Sequence, residues 1–240
     1  MRDQDVQRFD LPVAAVLRVQ SRSGRVELIA EPRDDVLVEG DGAEARQARD
    51  GELALEVCSG RGGSKSLTVR CPVGTDVSVG TRSGQVTLRG QFGSVSVTTM
   101  SGNIDVERAE EADLRTGAGS IHLASCDVRC RMNSMSGKIE AGHVGAAVAG
   151  TVSGSIRVEH VAGKFKARTV SGSIEAACDG GGDIAVKTVS GRVQIELPRE
   201  TALARRIKSL SGRVRVPFPE GDDVRLEAMT VSGSIDVVPR

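Results

Sequence analysis

The hexapeptide TVSGSI stands at residues 151–156, again at 169–174 and again at 230–235. Taking the glycine of each related Ser-Gly phrase as position zero gives a file of turn glycines: Gly84, Gly102, Gly119, Gly137, Gly154, Gly172, Gly191, Gly212 and Gly233. Successive spacings are 18, 17, 18, 17, 18, 19, 21 and 21 residues. A self-similar period near 18 marks a solenoid or array of repeated units, not a globular enzyme.

Within each unit the pattern alternates. Positions +2 and +4 are apolar, as in Ile104/Val106, Ile156/Val158, Val193/Ile195 and Ile235/Val237, and the residues between are polar, as in Asn103/Asp105 and Arg213/Arg215. Positions −7 and −5 are mostly apolar as well, as in Val77/Val79, Phe165/Ala167 and Ile184/Val186. A period of two describes a strand with one buried face. Each unit therefore holds two short strands and sharp corners, where glycine supplies the backbone freedom. Helical periodicity is nowhere sustained.

Equal units with the same inward positions predict an all-β fold, a parallel β-solenoid whose coils stack about 4.8 Å apart with Ile above Ile. A β-sandwich of hairpins is the alternative. Position −1, serine everywhere but Ala118, would form a file of hydroxyls along one corner. Residues 1–66 read as irregular opening strands and a cap, with polar loops at 40–51 and 58–65, the latter holding Cys58. Residues 67–240 are regular coils, and no linker interrupts them, so a single domain over 1–240 is expected.

Composition narrows the function. Lys plus Arg and Asp plus Glu both number 32, so no net charge steers the chain towards nucleic acid. Trp and Tyr are absent and only four Phe occur, which removes the aromatic platforms that grip sugars or bases. The opening MRDQDVQRFD has no apolar signal-like stretch and no run of about 18 apolar residues follows, which predicts a cytoplasmic chain with no transmembrane segment. Five cysteines, without metal-type pairing, suit a reducing compartment.

The stretch LTVRCPVGTDVSVGTRSGQVTL at 67–88, followed by the recurring TVSGSI, resembles the bacterial β-strand-repeat family labelled "putative adhesin". The resemblance covers most of the chain, with Pro72-Val73-Gly74 and the Ser-Gly repeats as its signature. It implies a β-solenoid, a bacterial origin and a setting near membrane anchors or envelope-stress regulators. It carries no catalytic residues.

Some positions decorate the repeat. His143, His160 and Cys178 fall at +6 of successive units, and imidazole and thiolate on neighbouring rungs could hold a transition metal. The plain alternative is a semi-exposed strand end, as +6 is Arg108, Ser125 or Leu197 elsewhere. Cys126 and Cys130 take inward positions and read as small core hydrophobes, as does Cys71. Arg192, Arg205, Arg206, Lys208, Arg213 and Arg215 form a basic cluster, with Arg192 and Arg213 both at +1 and expected one rung apart. Such a cluster could take an anionic surface, by peripheral membrane contact, or an acidic protein, or be a solvated face.

Catalysis finds no support. The outward column at +3 reads Thr87, Asp105, His122, Glu140, Arg157, Glu175, Gln194, Arg215, Asp236, without the adjacent carboxylates that acid and base work needs. The Gly-rich DGGGD at 179–183 reads as a turn insertion. The expectation is a non-enzymatic scaffold or interaction module with no cofactor, binding a protein partner or copies of itself through solenoid ends or faces. The final phrase VSGSIDVVPR is the expected open end, with Pro239 blunting its edge. A ligand-responsive module binding metal or an anionic surface is the second reading, and a carbohydrate-active solenoid enzyme the third.

Overall fold

The computed structural model describes residues 6–10, 16–40, 43–47, 54–59 and 66–240, and every regular element among them is a strand. Coils pair in parallel with their counterparts one repeat away, as in Ile156↔Ile174 and Phe165↔Ile184. The fold is thus the all-β parallel solenoid, and the sandwich alternative falls. Contacts divide the chain into two compact units, Met1–Leu123 and Ala124–Arg240.

The first unit contains β1 (Val6–Asp10), β2 (Val16–Ser23), β3 (Val26–Glu31), β4 (Asp35–Glu39), β5 (Ala43–Gln47), β6 (Ala54–Ser59), β7 (Leu67–Pro72), β8 (Asp76–Ser83), β9 (Val86–Ser101) and β10 (Ile104–Ala118). Regular coils begin earlier than the repeat count suggested. The pair β2/β3 turns at Gly24 and stacks on β8/β9 with Leu17 opposite Val77 and Leu28 opposite Leu88. The legible signal was SGRVEL at 23–28, which has the phrase's serine, glycine and apolar +2 and +4 positions.

On the far side of β2 and β3 lie β6 and β7, also parallel. The chain therefore makes an outer coil before β8 returns to lie against β2. Antiparallel strands close that outer coil: β5 on β6, β4 on β7 and β1 on β4. The stretch 40–51, expected as a loop, thus contains strand β5, and the backbone of Cys58 belongs to β6. A covering strand is recruited by unpaired ladder groups and does not require the apolar alternation by which inner strands are recognised.

The second unit takes up β11 (Ile121–Ser136) from its fourth residue. It continues through β12 (Ile139–Ser153), β13 (Ile156–Val161), β14 (Phe165–Ser171), β15 (Ile174–Cys178), β16 (Ile184–Ser190), β17 (Val193–Leu197), β18 (Leu203–Ser211), β19 (Val214–Arg215), β20 (Val224–Ser232) and β21 (Ile235–Pro239). Its core is a set of columns, one of which stacks Ile139, Ile156, Ile174, Val193 and Ile235, all buried. Burying each such side chain contributes about 1.5–3 kcal/mol.

Here too the coils are out of sequence order. The β16/β17 coil carries β20/β21 as its neighbour, with Ile184 opposite Leu226 and Val193 opposite Ile235, and β18/β19 lies outside β20/β21. Among the described residues, the coil with no further coil beyond it is therefore not VSGSIDVVPR, as the sequence suggested, but the coil before it. Arg205 supplies the reason: it occupies the inward column of Leu226 and Ile184. A guanidinium clamped between two apolar rungs would lose its hydration, whereas on the outermost coil it keeps it.

Corner glycines are required twice over. Gly172 has φ +145°, and a methyl group there would run into the carbonyl oxygen of Gly154. Gly102 and Gly84 stand in the same relation.

Candidate functional site

The surface of the second unit carries a feature that the repeat arithmetic passed over. In T-V-S-G the threonine at −3 shares the parity of the inward −5 and −7 positions, so it points in and the residue at −2 points out. Thr151, Thr169, Thr188 and Thr230 are buried, while Met135, Val152, Val170, Val189, Val231 and Leu210 are exposed. Register stacks Ser153, Ser171, Ser190, Ser232 and Ser211 in that order, which aligns Val152, Val170, Val189, Val231 and Leu210 as an aliphatic file about 4.8 Å per rung. The four valines are each close to half exposed. In the first unit the same parity buries Thr116, whose hydroxyl donates to the Gly102 carbonyl at 3.1 Å.

A second feature is the outermost coil. Among the described residues, β18 and β19 pair with β20 and β21 on one side and, apart from a single bridge between Leu203 and Glu220, with nothing on the other. Their inward side chains consequently lie at an open mouth, where Arg205, Ile207, Val214 and Val216 line a recess of about 450 Å³. Arg205 Nη2 meets Glu220 Oε1 at 2.6 Å. Arg206, Lys208, Arg213 and Arg215 lie on the same coil. Arg192 stands apart from them, because the rung holding Ser234 separates it from Arg213. The expected neighbouring of Arg192 and Arg213 is thereby corrected: two rungs, about 10 Å, replace one.

The +6 column separates as well. His143 and His160 are in register, with ring centroids 5.2 Å apart. Cys178 is not with them. A register shift after Val158 places it opposite Val161, inside the core, where burial pushes its thiol up to about 12. The coil is one residue shorter at this point, so equal sequence offset does not mean equal height. The next residue, Asp179, accepts from His160 Nε2 at 2.8 Å and from Arg240 Nη2 at 2.7 Å. Among the described residues, no group of three or more His, Cys, Asp or Glu side chains is placed to hold a metal ion.

Cys126 and Cys130 are both buried, and their thiols hydrogen-bond each other. This bond lowers the Cys126 thiol and, together with burial, pushes that of Cys130 well up. On the outward +3 column, Arg157 stands between Glu140 and Glu175 and binds Glu175 at 2.7 Å. The exchanged coil order then reads Gln194, Asp236, Arg215. Arg157 and Gln194 thus separate the carboxylates, and among the described residues of this column no two carboxylates are on neighbouring rungs.

A family profile described as Toastrack DUF4097 matches residues 14–237. No curated protein matches the sequence. A crystal structure described as a putative adhesin from Bacteroides fragilis superposes with a TM-score of 0.52 at 11% identity, covering 99% of this chain and 98% of that one. One described as a putative adhesin from Parabacteroides distasonis gives 0.43 at 11% identity, covering 98% of each chain. One described as a putative cell adhesion protein from Clostridium sporogenes gives 0.25 at 9% identity, covering 99% of this chain and 100% of that one. The likeness to the Bacteroides structure is one of fold.

Proposed function

The chain belongs to the Toastrack DUF4097 family, and from that premise we propose that it is a non-enzymatic interaction module with an adhesin-like role. It binds a protein partner, or further copies of itself, through a solenoid face. One observation carries this: the file Val152, Val170, Val189, Val231 and Leu210 exposes aliphatic side chains on consecutive rungs of a rigid stack. Contiguous exposed apolar surface on an ordered scaffold is characteristic of contact sites. A row of knobs at ladder spacing suits a partner that is itself extended or sheet-like.

The adhesin description of the Bacteroides structure supports the same reading. Cytoplasmic residence belongs to it too, supported by four unbridged buried thiols, Cys71, Cys126, Cys130 and Cys178, which fit a reducing compartment. A link to envelope-stress functions completes the proposal.

The test is quantitative capture from the native host with the wild-type chain and a Val170→Lys/Val189→Lys variant, after checking that both melt alike. A specific protein, this chain included, should be retained by the wild type and at least tenfold less by the variant. Equal retention would overturn the face assignment. Turnover of a glycan or other substrate by the purified chain would overturn the non-enzymatic reading.

A further inference from the structure

We infer that the open edge of the β18/β19 coil binds an acidic, extended peptide segment of a partner protein as one more parallel rung. This rests on the reading of the chain as an interaction module, but at a different surface from the aliphatic file, so each can fail alone.

Three properties of the edge define its ligand. The first is the ladder. Among the described residues, β18 and β19 are hydrogen-bonded to β20 and β21 on one side and to no strand on the other. The backbone groups on that outer side suit strand addition, where main-chain bonds supply affinity. Near its start the edge is closed by the returning chain, since Leu203 N donates to the Pro219 carbonyl at 3.0 Å and Gly221 N to the Leu203 carbonyl at 3.3 Å. The available stretch therefore begins near Arg205.

The second is charge. Residues 203–215 include Arg205, Arg206, Lys208, Arg213 and Arg215 and no carboxylate. Glu220 pairs with Arg205. Glu227, across the ladder from Arg206, is bonded by Lys187 at 3.1 Å, and this bond chiefly holds its carboxyl below the usual range, with Arg206 and Lys208 adding smaller pulls. The coil thus presents a surplus of cations outward. Two copies meeting edge to edge would set the four outward cations Arg206, Lys208, Arg213 and Arg215 against four, which like-charge repulsion opposes. An acidic segment is the complement.

The third is the half-open interior. Ile207, Val214 and Val216 face the recess with no rung above them. A phosphate or a lipid headgroup would answer the charge and leave both the ladder and the side chains of Ile207, Val214 and Val216 unmet. A peptide answers all three, with apolar side chains above Ile207 and Val214 and carboxylates opposite Arg206, Lys208, Arg213 and Arg215.

The probe is a fluorescent peptide of about 12 residues in the coil's own pattern. It carries valine at the inward positions, aspartate or glutamate at the outward ones and Ser-Gly at the corner. The purified full chain is titrated by anisotropy with this peptide, its scrambled isomer, inorganic polyphosphate and phosphatidylserine vesicles. The patterned peptide should bind at least tenfold tighter than the scrambled one and weaken as salt rises. It should also protect amides of 205–215 from hydrogen exchange. Arg206→Glu/Lys208→Glu should lower the affinity tenfold or more with the melting temperature unchanged. Equal binding of the scrambled peptide or polyphosphate would overturn the proposal in favour of an unspecific cationic patch. Binding of vesicles alone would overturn it in favour of a lipid surface. Binding of none would show that the cations only guard the edge against aggregation.

Discussion

The backbone N–H of Ile235 donates to the carbonyl of Arg213 at 2.9 Å, while that of Val193 donates to Ser234 at 2.9 Å. The coil containing Ser234 and Ile235 thus lies between those of Arg192 and Arg213, although it follows both in sequence. Stacking order and repeat order part company here because the two candidate coils differ inside. One offers Leu226, Ala228, Ile235 and Val237 to the core, and the other offers Arg205 in the same column as Leu226.

This exchange predicts an inverted pattern of stability. Ile235 is fully buried and Val214 is 44% exposed, although Val214 lies further from the C-terminus of the sequence. Ile235→Ala should cost about 2–5 kcal/mol and Val214→Ala less than about 1 kcal/mol in urea denaturation. The reverse order would mean that the coils stack as they occur in sequence.

The glycine file makes a second prediction. Gly84 has φ +144°, and a methyl there meets the carbonyl of Gly24, whereas a methyl on Gly80 meets nothing within 4 Å. Gly84→Ala should therefore lose at least about 2 kcal/mol, from left-handed backbone strain and the clash together. Gly80→Ala should lose no more than about 0.5 kcal/mol. Equal melting temperatures for the two variants would contradict the corner geometry.

Buried thiols set the behaviour at high pH. Burial pushes Cys71 up to about 11 and Cys178 up to about 12, above the roughly 8.5 of an unfolded thiol. The folded state therefore holds these protons more tightly. Their contribution to stability is complete below about pH 8 and is lost as pH rises through the interval between the unfolded and folded values. Denaturation midpoints measured from pH 7.5 to 10.5 should fall, and Cys71→Ala/Cys178→Ala should flatten that fall. At pH 8 a thiol reagent should leave both residues unmodified in the native protein and label them on unfolding; native labelling would refute their burial.

Much of this molecule is written in local arithmetic. The period near 18 places a glycine at each corner, and alternation by two assigns Ile156, Ile174 and Ile235 to the core, because strand geometry links parity to face wherever the chain is extended. The same rule, applied one step further, would have turned Thr169 inward and Val170 outward and so revealed the aliphatic file. Other features lay beyond any count of offsets. Cys178 parts from His160 because a one-residue shortening changes its height, and that height is defined only by the neighbouring rung. The basic coil becomes an open edge only because a later segment fits better beneath it. A sequence alone determines which residues a coil buries, since that follows from backbone geometry within the coil. Which coil lies against which is decided by tertiary packing, where Arg205 escapes desolvation and Leu226 fills the column in its place.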